Sequence, residues 1–201
     1  MRSIVQATEQ GTIAATVQGV ISDRADAPGL AFAKRRGLPC HIINSERHTK
    51  ESFDSTLFAI LSEQMGAEII ALAGFMRIVG AVLVRHYEGH ILNIHPSLLP
   101  AYKGLNTHQR VLDDQQSEHG CSVHFVNQDL DGGAVVMQAR IIVNKNDTAA
   151  TLADRVLHYE HLIYPQSLAL LCAGRLQLQG KQCLLDGHPL LKPLEPYKKS
   201  G

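Results

Sequence analysis

Tryptophan is missing from this chain of 201 residues, and aromatic residues make up only 5% of it. Proteins that stack nucleic-acid bases need aromatic faces, so that role is poorly supplied. Neither charge is in excess: 19 Lys and Arg balance 19 Asp and Glu. Binding to polymeric nucleic acid or to an anionic membrane draws on a positive face, and none is indicated. The four cysteines, Cys40, Cys121, Cys172 and Cys183, never form a C-x-x-C pair. That spacing argues against a disulfide framework and a zinc knuckle. The longest apolar run, Ile69 to Met76, is too short to cross a bilayer, and the first ten residues lack a signal core. No G-x-G-x-x-G occurs, which disfavours the usual nicotinamide or flavin fold. The expectation is one cytoplasmic domain, with 45% apolar residues to build its core.

Short β-rich runs alternate with amphipathic stretches through the first half. Residues 16–22, 40–43, 69–74 and 91–95 read as strands. Helices are expected at 2–10, at 28–36 behind an Asp26 cap, from Thr49 to Gly66, and around 79–86. Phe53, Leu57, Ile60 and Leu61 share one helix face. The unbroken apolar run at 69–74 suits a parallel strand covered on both sides. This rhythm predicts an α/β fold, an open and mostly parallel twisted sheet with helices on both faces. Residues 122–127 and 135–143 read as an antiparallel pair because their link is short. A long helix over 149–172 and a hairpin near 176–184 complete the pattern.

Chemistry concentrates in Asn93-Ile94-His95-Pro96. Residues two apart on a strand share a side, so the Asn93 amide and the His95 imidazole can act together. Beyond the carboxyl end of a parallel strand is where open sheets bind ligands. An amide donor beside an imidazole suits attack on a carbonyl: one steadies the oxyanion, the other moves a proton. The bland alternative is a pair that only satisfies loop backbone. Asp129-Leu130-Asp131-Gly132-Gly133 lets backbone approach a ligand closely, and a carboxylate at Asp131 near His95 favours the imidazolium. Taken alone, an ordinary hairpin turn explains that segment better. His124 could join His95 and Asp131 in a two-histidine, one-carboxylate metal site. The spacing is not metal-specific, and a hydrogen bond to substrate or neighbour is favoured. Arg77, beside an apolar run, points to a pocket for something flat and anionic.

In order along the chain, AGFMRI, ILNIHPSLLPAYKGLNTH, HGCSVHFV, LDGGAVVMQA and EHLIYP resemble the phosphoribosylglycinamide formyltransferases over residues 2 to about 190. The resemblance implies a formyltransferase fold in one domain, 1–201. It has a Rossmann-like half at 1–95, a folate and catalytic half at 96–190, and a loose tail at 191–201. It implies formyl transfer from 10-formyltetrahydrofolate, a co-substrate, to the amine of glycinamide ribonucleotide in purine biosynthesis, without metal. His95 becomes the general acid or proton shuttle, Asn93 the holder of the formyl oxygen, and Asp131 the group that favours protonated imidazole and orders a relay water. Folate is expected along Met76, Arg77, Ile78 and Val79, along Val126, Asn127, Leu130 and Asp131, and beside Asn93. Lys50 stands where the family has a basic residue for the folate tail. Glu160, His124 and Asn106 are expected near the nucleotide, Asn106 replacing a histidine common in the family.

The family opens with a strand and a G-x-G-S-N loop for the substrate phosphate, whereas this chain starts beyond that loop. The first strand is therefore expected to be missing, Met1 being an internal methionine of a longer parent or the start of a truncated paralogue. Unpaired edges in the middle of the sheet would follow. Competing expectations are 10-formyltetrahydrofolate hydrolysis and a truncated form with impaired catalysis. Methionyl-tRNA formyltransferase is set aside because its C-terminal barrel and basic surface have no counterpart here.

Overall fold

The computed structural model describes residues 1–196. Its elements run α1 (Arg2–Glu9), β1 (Val20–Ser22), α2 (Pro28–Arg35), β2 (Cys40–Ile42), α3 (Lys50–Ala59), β3 (Ile70–Leu72), α4 (Ala81–His86) and β4 (Ile91–His95). They continue with α5 (Thr107–Asp113), β5 (Glu118–Phe125), β6 (Val135–Ile142), α6 (Ala149–Cys172), β7 (Leu176–Gln179), β8 (Gln182–Leu185) and β9 (His188–Pro189).

The expectation of one mostly parallel sheet needs correcting. Among the described residues the strands form three sheets: a parallel pair β1–β2, a four-stranded sheet ordered β3–β4–β5–β6, and a β7–β8–β9 meander. Only β3 and β4 run parallel in the central sheet; β4–β5 and β5–β6 are antiparallel. The short link before β6 forces the second reversal, while α5 and its flanking loops return the chain beside β4 for the first.

Local chemistry accounts for the helix ends. The Thr49 hydroxyl accepts from the Ser52 amide and caps α3. Thr148 and Thr151 form a reciprocal capping box on α6. Asp26 does not cap α2: Ala27 occupies that position and Asp26 pairs with Arg24 instead. α3 continues through a π turn at Ile60–Gln64 before Gly66, at φ +56°, ends it.

Two apolar clusters carry the molecule. In one, Leu152, Val156, Ile163 and Leu168 of α6 pack on Val123, Phe125, Met137 and other residues of β5 and β6. The other joins Phe53, Leu57 and Leu61 to Leu83, Val84 and Ile91. The Tyr164 hydroxyl lies 2.8 Å from the carbonyls of both Leu72 and Leu92, fixing α6 beneath β3 and β4. The tail is not loose at residue 194, because Leu194 bridges to Met137 and covers the outer edge of β6. Residues 197–201 of the expected tail lie outside the described residues.

Between β1 and β3 no strand hydrogen bonds pass. A cavity of about 830 Å³ opens there, lined by Ile4, Val20, Ile21, Leu57, Ile70 and Ala71 among others. Ala71, Ala73 and Gly74, apolar residues expected under cover, are exposed along it.

Candidate active site

β4 sets the geometry. Its pairing with β5 places Asn93 opposite His124 and His95 opposite Ser122. The Asn93 amide nitrogen is 3.2 Å from His124 Nε2, and His124 Nδ1 is 2.8 Å from the Phe125 carbonyl. A carbonyl only accepts, so His124 carries its proton on Nδ1 and Nε2 accepts from Asn93. Burial pushes the His124 imidazole below its ordinary value, which keeps it neutral in that role. One Asn93 proton is thereby committed, and the amide's second proton remains for another acceptor.

The carboxylate comes from the β5–β6 loop. Gly133 must be glycine: a Cβ there would lie 1.8 Å from the Phe125 carbonyl oxygen. Asp131 itself sits at φ +46°, a left-handed conformation that Asp tolerates better than most residues. That turn brings Asp131 Oδ2 to 3.4 Å from His95 Nδ1, and Oδ1 to 3.7 Å from His124 Nε2. Asn93, His95, His124 and Asp131 therefore converge, and residues 129–133 are both the turn of the β5–β6 hairpin and the carrier of Asp131. Asp131 also accepts the Gly104 amide at 2.9 Å.

Backbone of the segment after β4 closes over these groups. His95 Nε2 lies 2.9 Å from the Tyr102 carbonyl, and His95 is only 6% exposed. The Tyr102 carbonyl only accepts, so Nε2 donates to it, while Nδ1 faces the Asp131 carboxylate. Behind His95, the Ser122 hydroxyl donates to the Ser97 carbonyl and accepts from the Leu99 amide. Gln138 donates to Ser122 and to the Leu99 carbonyl. Deeper still, His108 Nδ1 and His119 Nε2 are 2.9 Å apart.

Other expected residues lie around this centre. Met76, Arg77, Ile78 and Val79 form the β3–α4 loop, with Met76 75% exposed. Arg77 lies over the Phe53 ring. Val126 donates its amide to the Ile91 carbonyl, Asn127 caps the Asp129 amide, and Leu130 is exposed. Lys50 opens α3 at the surface, and Asn106 precedes α5 at φ +56° without capping it. Glu160 lies in α6, its carboxyl raised by burial and countered by the Met1 ammonium. None of these residues makes a hydrogen bond or ion pair to the Asn93–His95–Asp131 group. Among the described residues no three His, Cys, Asp or Glu side chains are arranged to hold a metal ion. Tyr102, Gly104, Ser122, Gln138 and His119 escaped the sequence reading. The first two act through backbone atoms and carry no residue-type signal.

Residues 1–168 match the formyl transferase family. The chain belongs to that family. A formyl transferase relative, the phosphoribosylglycinamide formyltransferase of Escherichia coli (strain K12), is 40% identical over 94% of this chain and 90% of its own length. The human trifunctional purine biosynthetic protein adenosine-3 is 39% identical over 91% of this chain, which spans only 18% of that longer protein. Among solved structures, the Coxiella burnetii phosphoribosylglycinamide formyltransferase superposes with a TM-score of 0.90 at 43% identity, covering 98% of this chain and 93% of that one. A formyltetrahydrofolate deformylase from Pseudomonas syringae shares the fold at TM-score 0.83, with 18% identity, 92% of this chain and 61% of that one covered. Formyl transferase membership fits a site built around an amide, an imidazole and a carboxylate.

Proposed function

We propose that this chain is a phosphoribosylglycinamide formyltransferase. It moves the formyl group of 10-formyltetrahydrofolate to the primary amine of glycinamide ribonucleotide, a step of purine biosynthesis carried out in the cytoplasm. No helix among the described residues is long and apolar enough to cross a membrane. One observation supports the mechanism: on the carboxyl half of β4, Asp131 comes within 3.4 Å of His95 and 3.7 Å of His124, and His124 bonds Asn93.

The uncommitted Asn93 proton points to the formyl oxygen as it gains negative charge. The amine nitrogen bonds to the formyl carbon and the bond from that carbon to folate N10 breaks. One proton leaves the amine and N10 gains one. His95 carries it, with Asp131 beside its Nδ1 orienting the ring and ordering a relay water. Reaching His95 Nε2 requires substrate to replace the Tyr102 carbonyl. Folate lies along Met76–Val79 and along Val126, Asn127, Leu130 and Asp131, with Lys50 and Arg77 toward its anionic tail. His124 orients Asn93, while Glu160 and Asn106 face the nucleotide. The route calls for no metal: its proton moves through His95 and the relay water.

The gap between β1 and β3 supports the reading that one more parallel strand belongs there, its following loop at the carboxyl edge beside β3 holding the nucleotide phosphate.

The test follows folate product with and without glycinamide ribonucleotide. Amine-dependent turnover is expected, and His95→Ala should lower it by about 10²–10⁴-fold. Asn93→Ala should cost about 10²–10³-fold. Turnover without the amine would mean hydrolysis and overturn the reading, as would full activity in both variants.

A further inference from the structure

α3 grips the β3–α4 loop at two points. The Arg77 guanidinium carbon sits 4.4 Å from the centre of the Phe53 ring, and Phe53 is buried at 2% exposure. Cation and aromatic face attract, the more so when the ring is withdrawn from water. Three residues on, Gly80 has φ −65°, which any residue adopts, so backbone conformation does not explain its lack of a side chain. Space does. A Cβ on Gly80 would lie 2.4 Å from Asp54 Oδ2 and 3.1 Å from Asp54 Cβ. The Asp54 carboxyl thus occupies the room a side chain would need, and it interacts electrostatically with both Arg77 and Lys50.

Phe53 and Asp54 are consecutive on α3, while Arg77 and Gly80 bracket the exposed Ile78. A helix pinned by buried Phe53, Leu57 and Ile60 is a rigid base, and the loop is its irregular dependant. We infer that Phe53 and Asp54 are positioning residues that set the shape of loop 73–80 for the folate co-substrate. The inference rests on the placement of folate along Met76–Val79 proposed above. Neither residue touches the reacting atoms; both act through the loop backbone. Seating Asp54 here is costly in itself, since burial pushes its carboxyl above the ordinary value. That cost fits a residue kept for the loop it holds.

Steady-state kinetics of the full chain separate this role from a general loss of fold. Asp54→Ala and Phe53→Leu should each raise KM for 10-formyltetrahydrofolate about tenfold, with kcat and KM for glycinamide ribonucleotide within about twofold. Phe53→Tyr, which keeps the ring, should restore the wild-type KM. Gly80→Ala should behave like Asp54→Ala because its methyl expels the carboxyl, and the double variant should be no worse than either single one. Unchanged folate KM in both Asp54→Ala and Phe53→Leu overturns the inference, as do additive losses in the double variant. Amide hydrogen exchange on the wild-type protein, with tetrahydrofolate as probe, tests the underlying placement separately. Slowed exchange at residues 76–79 supports it, and no slowing there removes the placement and the inference together.

Discussion

Asn93 and His95 were legible as partners because a strand's two-residue repeat is a local property. Asp131 and His124 could be named from the sequence only as candidates, since His124 reaches Asn93 through the β4–β5 register and Asp131 arrives through a turn. Nor could sequence show that the acceptor at His95 Nε2 is a main-chain carbonyl, a group every residue carries. Gly133 shows how one atom governs the cluster. Gly133→Ala would drive its methyl into the Phe125 carbonyl oxygen, and the loop can relieve that only by shifting Asp131, two residues away. Overpacking of this kind costs about 1–3 kcal/mol. The denaturation midpoint should fall accordingly and kcat should drop with it, whereas an unchanged midpoint would mean the loop has room it does not show.

At the scale of elements, legibility followed length. The helix at 149–172 and the strand at 91–95 coincide with their expected limits. The three strands before 91–95 shrink to three residues each, because a strand's ends depend on neighbours that the sequence does not display. The π turn after α3 and the short helix α5 left no periodic signal. α5 and β5 together place His108 against His119, giving a pH dependence with a definite sign. Burial, then the neighbouring His108 and His95, pushes His119 down to about 4. Between its ordinary value near 6.5 and about 4, the unfolded chain holds a proton there that the folded chain does not. Stability from this group is therefore complete above about pH 6.5 and is lost as pH falls toward 4. His108 and His124 are shifted in the same direction, chiefly by burial, and add to the slope. Melting temperature should decline from pH 7 to 4.5, and His119→Asn should flatten that decline. A variant curve parallel to wild type would remove His119 from the account.

At the scale of the molecule, the alternation of strand and helix signals announced an α/β fold, but the course of the central sheet depends on what meets its edges. Ile70, Ala71 and Leu72 belong to a run fit for burial on both sides, yet Ala71 is exposed where β3 faces the cavity toward β1. β1 and β3 each pair on one side only, leaving main-chain donors and acceptors along the gap without strand partners. β1 runs parallel to β2 and β3 runs parallel to β4, so a strand that extends either ladder supplies partners for those groups. It would also bury apolar surface at about 25 cal/mol per Å². A free peptide of about five or six β-branched residues has the length of an ordinary strand and should serve. Added in trans, it should stabilise the folded chain by RT ln(1 + [L]/Kd), so the melting temperature should rise with peptide concentration. Edge capping should also lower the protein's tendency to associate, measured by light scattering. A scrambled peptide carrying a central proline cannot supply the ladder and should do neither. Equal stabilisation by both peptides would show that the cavity takes up apolar matter without strand pairing, and the idea of a vacant strand position would fail.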